Sequence, residues 1–363
     1  MRDRKTLLYL LILSTFLISM MALLASADTG INSKAKSSAL YNPDTKSFIY
    51  QNNGDLRLPM ASTTKIVTGL IAIETLDMNE IISVPKEAVG VEGSSLYLKE
   101  GDMLTVRDLV YGVLLQSAND AATVLALRIS GSISAFSDLM TKRAESAGAM
   151  NTHFENPHGL DSEQHYTTAN DLSLICAEAL CNDAFLKIVS TYKYTFKLGD
   201  ETRTIVNHNK LLKLYNGCIG VKTGYTKKSG RCLVSAAERD GVRLIAVTLS
   251  DPDDWNDHKE MLDYGFDRLE TVDLAKLVDI PTKLPTVSSD GATLGVTLKK
   301  TSIVKLKTDE ISYNIDIPNY IATDVKCNDK IGVLTLRIGK NTEIIDIIAT
   351  NDVKIKRTSR RFL

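Results

Sequence analysis

The chain has 363 residues, 44% of them hydrophobic and 24% charged, enough to bury a large core and to form two domains. Its formal net charge of -1 gives no global attraction to nucleic acid, and it has neither a glycine-rich phosphate loop nor a basic stripe with interleaved aromatics. Nucleic acid is therefore set aside as a partner, no cysteine/histidine cluster has metal-ligand spacing, and no cofactor is expected.

Residues 1–27 read as a signal peptide. Arg2, Arg4 and Lys5 precede an apolar run from Leu7 to Leu24, and Ala25-Ser26-Ala27 forms a small-x-small cleavage site. Cleavage is expected after Ala27; the alternative is an uncleaved membrane anchor, because the apolar run is nearly long enough to span. Either way the body is expected outside the cytoplasm, where disulfides can form. The five cysteines nevertheless read as free thiols. Cys176 and Cys181, expected on one helix, face different directions at about 100° per residue. Cys232 is expected opposite Gly224 rather than Cys218 across a hairpin turning near Lys227 to Ser229. Cys327 has no evident partner.

Residues 28–270 alternate strand-like and helical stretches and read as one mixed α/β (α+β) unit. Ser38 to Tyr50 is expected to form a hairpin around Asn-Pro-Asp turn chemistry. Leu58-Pro59-Met60-Ala61 leads into an expected helix from about Ser62 to Leu76, with apolar Ile66, Val67, Leu70, Ile71 and Ile73. Thr105 to Ile129 is helical in pattern but interrupted by polar residues near Gln116 to Asp120, which predicts helix, break, helix. Gly217 to Thr226, Arg231 to Arg239 and Arg243 to Ser250 read as three strands, the first two an antiparallel pair. After the helical segment Asp257 to Leu269, residues 271–353 become short β runs, including Thr293 to Leu298, Ser302 to Leu306, Ser312 to Ile317, Ile331 to Ile338 and Ile344 to Ile348. They predict a smaller C-terminal all-β domain, and residues 354–363 form a basic tail.

Three short motifs occur in order: Ser62-Thr63-Thr64-Lys65, Ser117-Ala118-Asn119 and Lys222-Thr223-Gly224. Each alone is weak. Ser62 at a helix start reads as an ordinary N-cap, yet a serine hydroxyl needs a neighbouring base to become a nucleophile, and Lys65 lies one turn on along the same face. The lysine must be neutral to serve, and burial beside a second cation such as Lys222 lowers its pKa in the required direction. Ser117 and Asn119 sit in the polar break, where they either cap helices or project into a cleft. Lys222 and Thr223 on a strand suit a carboxylate, and Gly224 beside them lets a substrate backbone approach.

With these motifs in this order, and with Ser117-Ala118-Asn119-Asp120-Ala121-Ala122, Asn156-Pro157-His158-Gly159-Leu160-Asp161, Asn207-His208-Asn209-Lys210-Leu211-Leu212 and Gly220-Val221-Lys222-Thr223-Gly224-Tyr225-Thr226, the sequence resembles the low-molecular-mass penicillin-binding proteins. Within them it is most similar to the serine D-alanyl-D-alanine carboxypeptidases, over about residues 30 to 350. The resemblance implies a penicillin-binding/β-lactamase-like domain with a central antiparallel sheet covered by helices, followed by a β domain. It implies that Ser62 attacks the terminal D-Ala-D-Ala bond of a peptidoglycan stem peptide, that Lys65 accepts its proton and that Ser117 relays a proton to the departing D-alanine. Asn119 then holds Lys65 and a substrate amide, Lys222 and Thr223 bind the terminal carboxylate, and the N–H groups of Ser62 and Tyr225 stabilise the oxyanion. β-Lactam antibiotics are the implied inhibitors. His158 and Asp161 are expected as structural supports. His208 stands where some relatives carry an arginine, and a neutral histidine is a weaker anion partner.

Two other readings compete. A β-lactamase uses the same serine and lysine, but no glutamate-bearing segment offers a deacylating base and the β domain is uncharacteristic of that group. A catalytically silent sensor or murein-binding scaffold has no need to keep nucleophile and base together. Many relatives end in an amphipathic helix, whereas the tail Lys354-Ile355-Lys356-Arg357-Thr358-Ser359-Arg360-Arg361-Phe362-Leu363 is basic and short, so weak peripheral membrane contact is the expectation.

Overall fold

The computed structural model describes residues 30–288 and 290–356. The expected signal peptide and tail positions 357–363 lie outside the described residues. Along the chain run strands β1 (Ser37–Asn42) and β2 (Ser47–Asn52), a 3-10 turn (Ala61–Thr64), helix α1 (Lys65–Thr75), and strands β3 (Ile81–Ser83) and β4 (Met103–Thr105). Helices α2 (Val106–Leu115), α3 (Asn119–Ser130), α4 (Ile133–Ser146), α5 (Ala169–Ala179) and α6 (Asp183–Val189) follow, then the hairpin β5 (Lys193–Leu198)/β6 (Glu201–Val206) and helix α7 (Leu211–Leu214). Strands β7 (Cys218–Thr226), β8 (Gly230–Arg239) and β9 (Val242–Leu249) lead to α8 (Asp254–Arg268).

The central sheet is antiparallel with order β2-β1-β9-β8-β7, which leaves β7 at an edge. Both faces are covered. Ala39, Tyr41, Val234, Ile245 and Val247 point into the core shared with α1 to α6, while Leu40, Leu233, Leu244 and Ala246 alternate into the core under α8. Alternation between two apolar faces is why these strands read as continuous hydrophobic runs. Helix α1 is enclosed by α2, α3, α4 and α5, and its residues from Lys65 to Ala72 are all buried. A capping box between Thr105 and Asp108 starts α2, and Gly131, at φ 72°, ends α3 in the left-handed conformation that a helix C-terminus favours.

The C-terminal part is a five-stranded sheet of β11 (Lys283–Pro285), β12 (Thr293–Leu298), β16 (Asn341–Ala349), β15 (Lys330–Ile338) and β14 (Ile311–Asp316), with its own aliphatic core. Ser302–Leu306 (β13) departs from expectation: it pairs with β10 (Leu269–Asp273), not with that sheet. Its alternation explains the choice, because Ile303 enters the β-domain core while Val304 enters the core under α8. The buried Lys305 pins the ribbon, pairing with Glu270 at 2.8 Å and donating to the Leu306 and Asp309 carbonyls, each at 3.0 Å.

Smaller corrections concern element ends. The helix expected from Ser62 begins at Lys65, because Ala61–Thr64 forms a tighter 3-10 turn, and the Ser62 side chain caps nothing. Cys181 lies beyond the end of α5 rather than on it. All five cysteines are free, and Cys232 lies opposite Gly224. Among the described residues no helix is long and apolar enough to cross a membrane.

Candidate active site

The turn that carries Ser62 is built by its own threonines. Thr63 Oγ1 donates to Met60 O at 2.6 Å and Thr64 Oγ1 to Ala61 O at 2.7 Å. Ala61 takes a left-handed φ of 46°, a conformation costly for a residue with a Cβ and kept only when its surroundings enforce it. One enforcer is the His158-Gly159 segment: a Cβ on Gly159 would lie 1.9 Å from Ala61 O, so only glycine fits. Another is buried His165, whose Nδ1 accepts from Glu155 N at 3.0 Å, so that Nε2 carries the proton and donates to Thr64 Oγ1 at 2.8 Å. Burial holds the His165 pKa down at about 4, which keeps this ring neutral.

Lys65 is fully buried, and its Nζ has three oxygen partners: His158 O at 2.5 Å, Asn119 Oδ1 at 2.7 Å and Ser62 Oγ at 3.0 Å. Burial pushes its pKa well below the usual lysine value, the Lys222 cation pushes it further, and Asp120 opposes both. A neutral amine has two N–H donors and one lone pair. The two carbonyl oxygens can only accept, so the lone pair is left for the Ser62 hydroxyl. The geometry thus gives the serine an adjacent base.

Ser117 occupies the break between α2 and α3 with φ 63°, and Asn119 is the first residue of α3. Asn119 faces Lys65 with its amide oxygen and donates its Nδ2 to Glu92 O, while its backbone N–H donates to Ser94 O at 2.7 Å. Asp120 completes this clamp by accepting from Ser95 Oγ at 2.6 Å and from the backbone of Leu96 and Leu98 at 3.1 Å each. Across the cleft, edge strand β7 brings Lys222, Thr223, Gly224 and Tyr225 alongside the 3-10 turn. A Cβ on Gly224 would sit 2.9 Å from Ser62 N, so glycine is what allows the approach. Lys222 is 1% exposed, donates to Thr223 O at 2.9 Å, and has its pKa lowered by burial to about 7. Thr226 Oγ1 ties the end of β7 to Asp161 Oδ1 at 2.9 Å.

His208 is held by its neighbours. Asn207 Nδ2 donates to Val189 O at 3.0 Å and Thr191 O at 3.1 Å, Asn209 Oδ1 accepts from Leu211 N at 3.0 Å, and His208 N donates to Leu115 O at 3.2 Å. Desolvation first, and the Lys222 cation second, push its imidazole pKa below the ordinary range.

The resulting cleft has a volume of about 460 Å³ and is lined by Ser62, Ser117, His208, Thr223, Gly224 and Tyr225 of the expected set. Lys65, Asn119 and Lys222 lie behind that surface rather than on it. Four lining residues escaped the sequence reading: Ser94, Arg231, Asp254 and Trp255. Arg231 grips Asp254 through two bonds of 3.1 and 2.5 Å. The only visible hint of them was an arginine opening the apolar run of β8 and the single tryptophan of the chain. Among the described residues no three metal-ligating side chains converge.

The family described as D-alanyl-D-alanine carboxypeptidase matches residues 23–253. The D-alanyl-D-alanine carboxypeptidase DacF of Bacillus subtilis is 32% identical over 88% of this chain and 86% of its own length. Among solved structures, the D-alanyl-D-alanine carboxypeptidase DacD of Francisella tularensis superposes with a TM-score of 0.66 at 27% identity, covering 90% of this chain and 95% of that one. The Streptomyces K15 DD-transpeptidase superposes with a TM-score of 0.62 at 32% identity, over 65% of this chain and 98% of its own.

Proposed function

The chain belongs to the D-alanyl-D-alanine carboxypeptidase family, and from that premise we propose how its residues divide the reaction. It is a serine carboxypeptidase of the penicillin-binding type, acting on peptidoglycan stem peptides outside the cytoplasm. In our reading Ser62 attacks the carbonyl of the terminal D-Ala-D-Ala bond while neutral Lys65 takes its proton. Ser117 passes a proton to the departing amine. Lys222, Thr223 and His208 receive the terminal carboxylate, and Gly224 keeps the edge strand close enough for the substrate backbone to lie along it. The N–H groups of Ser62 and Tyr225 stabilise the charge that develops on the carbonyl oxygen, and water releases the acyl-enzyme. Asn119 orients Lys65 and meets a substrate amide.

The observation that carries this reading is the set of three contacts around Lys65 Nζ, which leaves its lone pair for Ser62. Penicillin offers a strained amide and a carboxylate much as the dipeptide does, so it should acylate the same serine. Intact-protein mass spectrometry after incubation with benzylpenicillin and, separately, with a D-Ala-D-Ala peptide tests nucleophile and substrate together. An adduct on any peptide other than the one with Ser62 overturns the assignment. The division into residues 28–270 and 271–353 belongs to the same proposal and is supported by the aliphatic cluster that the second part forms for itself, with Val304 alone of its buried hydrophobics entering the core under α8. Export directed by residues 1–27 and weak membrane contact through the basic tail are further parts of it. Sequencing the mature N-terminus and a high-salt wash of the membrane fraction test these two.

A further inference from the structure

A groove of about 960 Å³ opens where the two halves of the molecule meet, about twice the volume of the catalytic cleft. One side is the turn into β2, from Asp44 to Ile49, with the last turn of α8; the other is the end of β13 and the β15–β16 turn. Strand β2 is the edge of the central sheet opposite β7, so the groove lies about four strand spacings, roughly 19 Å, from the strand that walls the cleft. Its walls are pinned. Asn42 Oδ1 accepts from Thr45 N at 2.7 Å, and Lys307 binds α8 twice, its backbone N–H donating to Arg268 O at 2.8 Å and its Nζ to Asp267 O at 2.9 Å. The Arg268 guanidinium lies 3.3 Å from the centre of the Tyr264 ring. Preformed clefts between domains are preferred places for ligands, and this volume falls in the range of about 300–1,000 Å³ that such sites have.

The lining disfavours an ion and suits a polyol. Four acids, Asp44, Asp267, Asp309 and Glu343, are balanced by four bases, Lys46, Arg268, Lys305 and Lys307, so the groove has no net charge with which to draw a polyelectrolyte. Among the described residues the side chains of Asp44, Lys46, Asp267, Asn341 and Thr342 make no hydrogen bond or ion pair within the protein, and Thr45 Oγ1 is buried without a partner. A buried hydroxyl left unpaired is costly, and a ligand atom would complete it. Donors and acceptors are thus interspersed along the rim, which is what a ligand needs when each of its hydroxyls both donates and accepts. Beneath them Phe48, Ile49, Val304, Leu306 and Ile338 are buried or half-buried, an apolar floor for the C–H face of a sugar ring.

We propose that this groove binds the uncharged amino-sugar backbone of the glycan strand from which the stem peptides hang, and so holds the protein on its polymer while the cleft works on a peptide. The identity of the ligand rests on the carboxypeptidase reading, because an enzyme that trims stem peptides meets them as branches of such a strand. The acids and bases of the rim take up hydroxyl and N-acetyl groups, Thr45 Oγ1 gains its missing partner, and the apolar floor carries the rings. The separation of groove and cleft lets one stretch of polymer occupy the first while a peptide enters the second. The second encounter is then intramolecular, and linked sites of this kind exceed either affinity alone by about 10²–10⁴-fold when the geometry spans both. The β domain acquires a part in the reaction, since the end of β13 and the β15–β16 turn supply one side of the groove.

The probe is a soluble oligomer of N-acetylglucosamine, which has the sugar backbone without a peptide, titrated onto the full chain by calorimetry. Binding should saturate, persist after benzylpenicillin has acylated the protein, and change little with added salt. An Asp44→Ala/Asp267→Ala variant, altered only at exposed side chains, should bind about tenfold or more weakly with an unchanged melting temperature. Its release of D-alanine from a free pentapeptide should stay within about twofold of the parent protein, as expected of distant sites. On soluble glycan strands that still bear stem peptides, the parent protein should show a KM about tenfold or more below its KM for the free peptide, and the variant should lose that advantage. No saturable binding, in a chain that releases D-alanine normally, overturns the groove assignment and leaves the carboxypeptidase reading standing. Binding that disappears on acylation places the sugar in the cleft and overturns the assignment too, as does equal binding of polyglutamate or polylysine. A folded chain that binds the oligomer but neither releases D-alanine nor takes penicillin overturns the carboxypeptidase reading and leaves the groove assignment standing.

Discussion

The two halves of the molecule bury different things. The β domain buries Leu, Ile, Val and Ala side chains and, among the described residues outside the β10–β13 ribbon, Ser288 as its one buried polar residue, whereas the larger body encloses Lys65, Lys222, Asn119 and Asp120 and holds Ala61 and Ser117 at left-handed φ. The contrast sharpens at the buried lysines. Lys305, in the ribbon between the halves, meets Glu270 at 2.8 Å, while the Nζ of Lys65 meets only two carbonyl-type oxygens and a hydroxyl. A buried lysine matched by a carboxylate fastens structure. One without such a match has its pKa lowered by burial, and Lys65, with the Lys222 cation lowering it further, is the one set to give up its proton for chemistry.

The largest test of that contrast is Ser62→Ala, which should lower D-alanine release by on the order of 10⁴-fold or more with no loss of melting temperature. Activity within about tenfold of the parent protein would move the nucleophile elsewhere. Lys65→Ala should block acylation at every substrate concentration, while Lys222→Ala should act mainly through KM for substrates with a free carboxylate. Stopped-flow acylation kinetics separate the two. Next comes Gly159→Ala. Its methyl collides with Ala61 O and so shifts the Ser62 turn, and a displacement of about 1 Å there costs about 10²-fold in acylation rate. Unchanged acylation would mean that the turn tolerates displacement.

In the β domain the expectation reverses. Leu334 is fully buried, and Leu334→Ala should cost about 2–5 kcal/mol of stability in denaturant titration while kcat/KM of the folded fraction stays within about twofold. A matching fall in kcat/KM would show that the two halves are coupled through the β10–β13 ribbon.

The smallest effect is a pH dependence. Lys222 falls from the ordinary 10.5 to about 7 through burial. Between those values the unfolded chain holds a proton that the folded chain has released, so stability rises with pH across the window, and the penalty is fully present below about 7. Lys222→Met should therefore raise the melting temperature by a few degrees at pH 6 and by less at pH 10. Equal shifts at both would mean that no buried charge is relieved. The kcat/KM profile should have an acid limb where Lys65 gains its proton and an alkaline limb where Lys222 loses its own, the latter absent from Lys222→Met.

Much of this was readable because local chemistry determines it. The break expected near Gln116 to Asp120 is a polar gap in a helical period, narrowed in the structure to Gln116–Ala118 because Asn119 and Asp120 open α3, and the pairing of Gly224 with Cys232 followed from the position of one turn. The 3-10 turn at Ser62 was not readable, since Ser-Thr-Thr-Lys fits a helix start equally well and the decision rests with Gly159 and His165, about one hundred residues away. The pairing of Ser302–Leu306 with Leu269–Asp273 was hidden for a similar reason: Ile303 and Val304 show alternation, but not which core each will enter.

By itself the sequence determined the inventory and the spacing: a serine with a lysine one turn on, a strand with Lys-Thr-Gly, and two apolar periodicities that change character near residue 270. Only the tertiary structure decided that Lys65 is stripped of water and faced by carbonyl oxygens, that Ser94, Arg231, Asp254 and Trp255 wall the cleft, and that a groove of balanced charge opens where the two halves meet. The physical reason is that burial, and the fields and cavities it creates, are sums over residues far apart in the chain, and such sums exist only once the chain has folded.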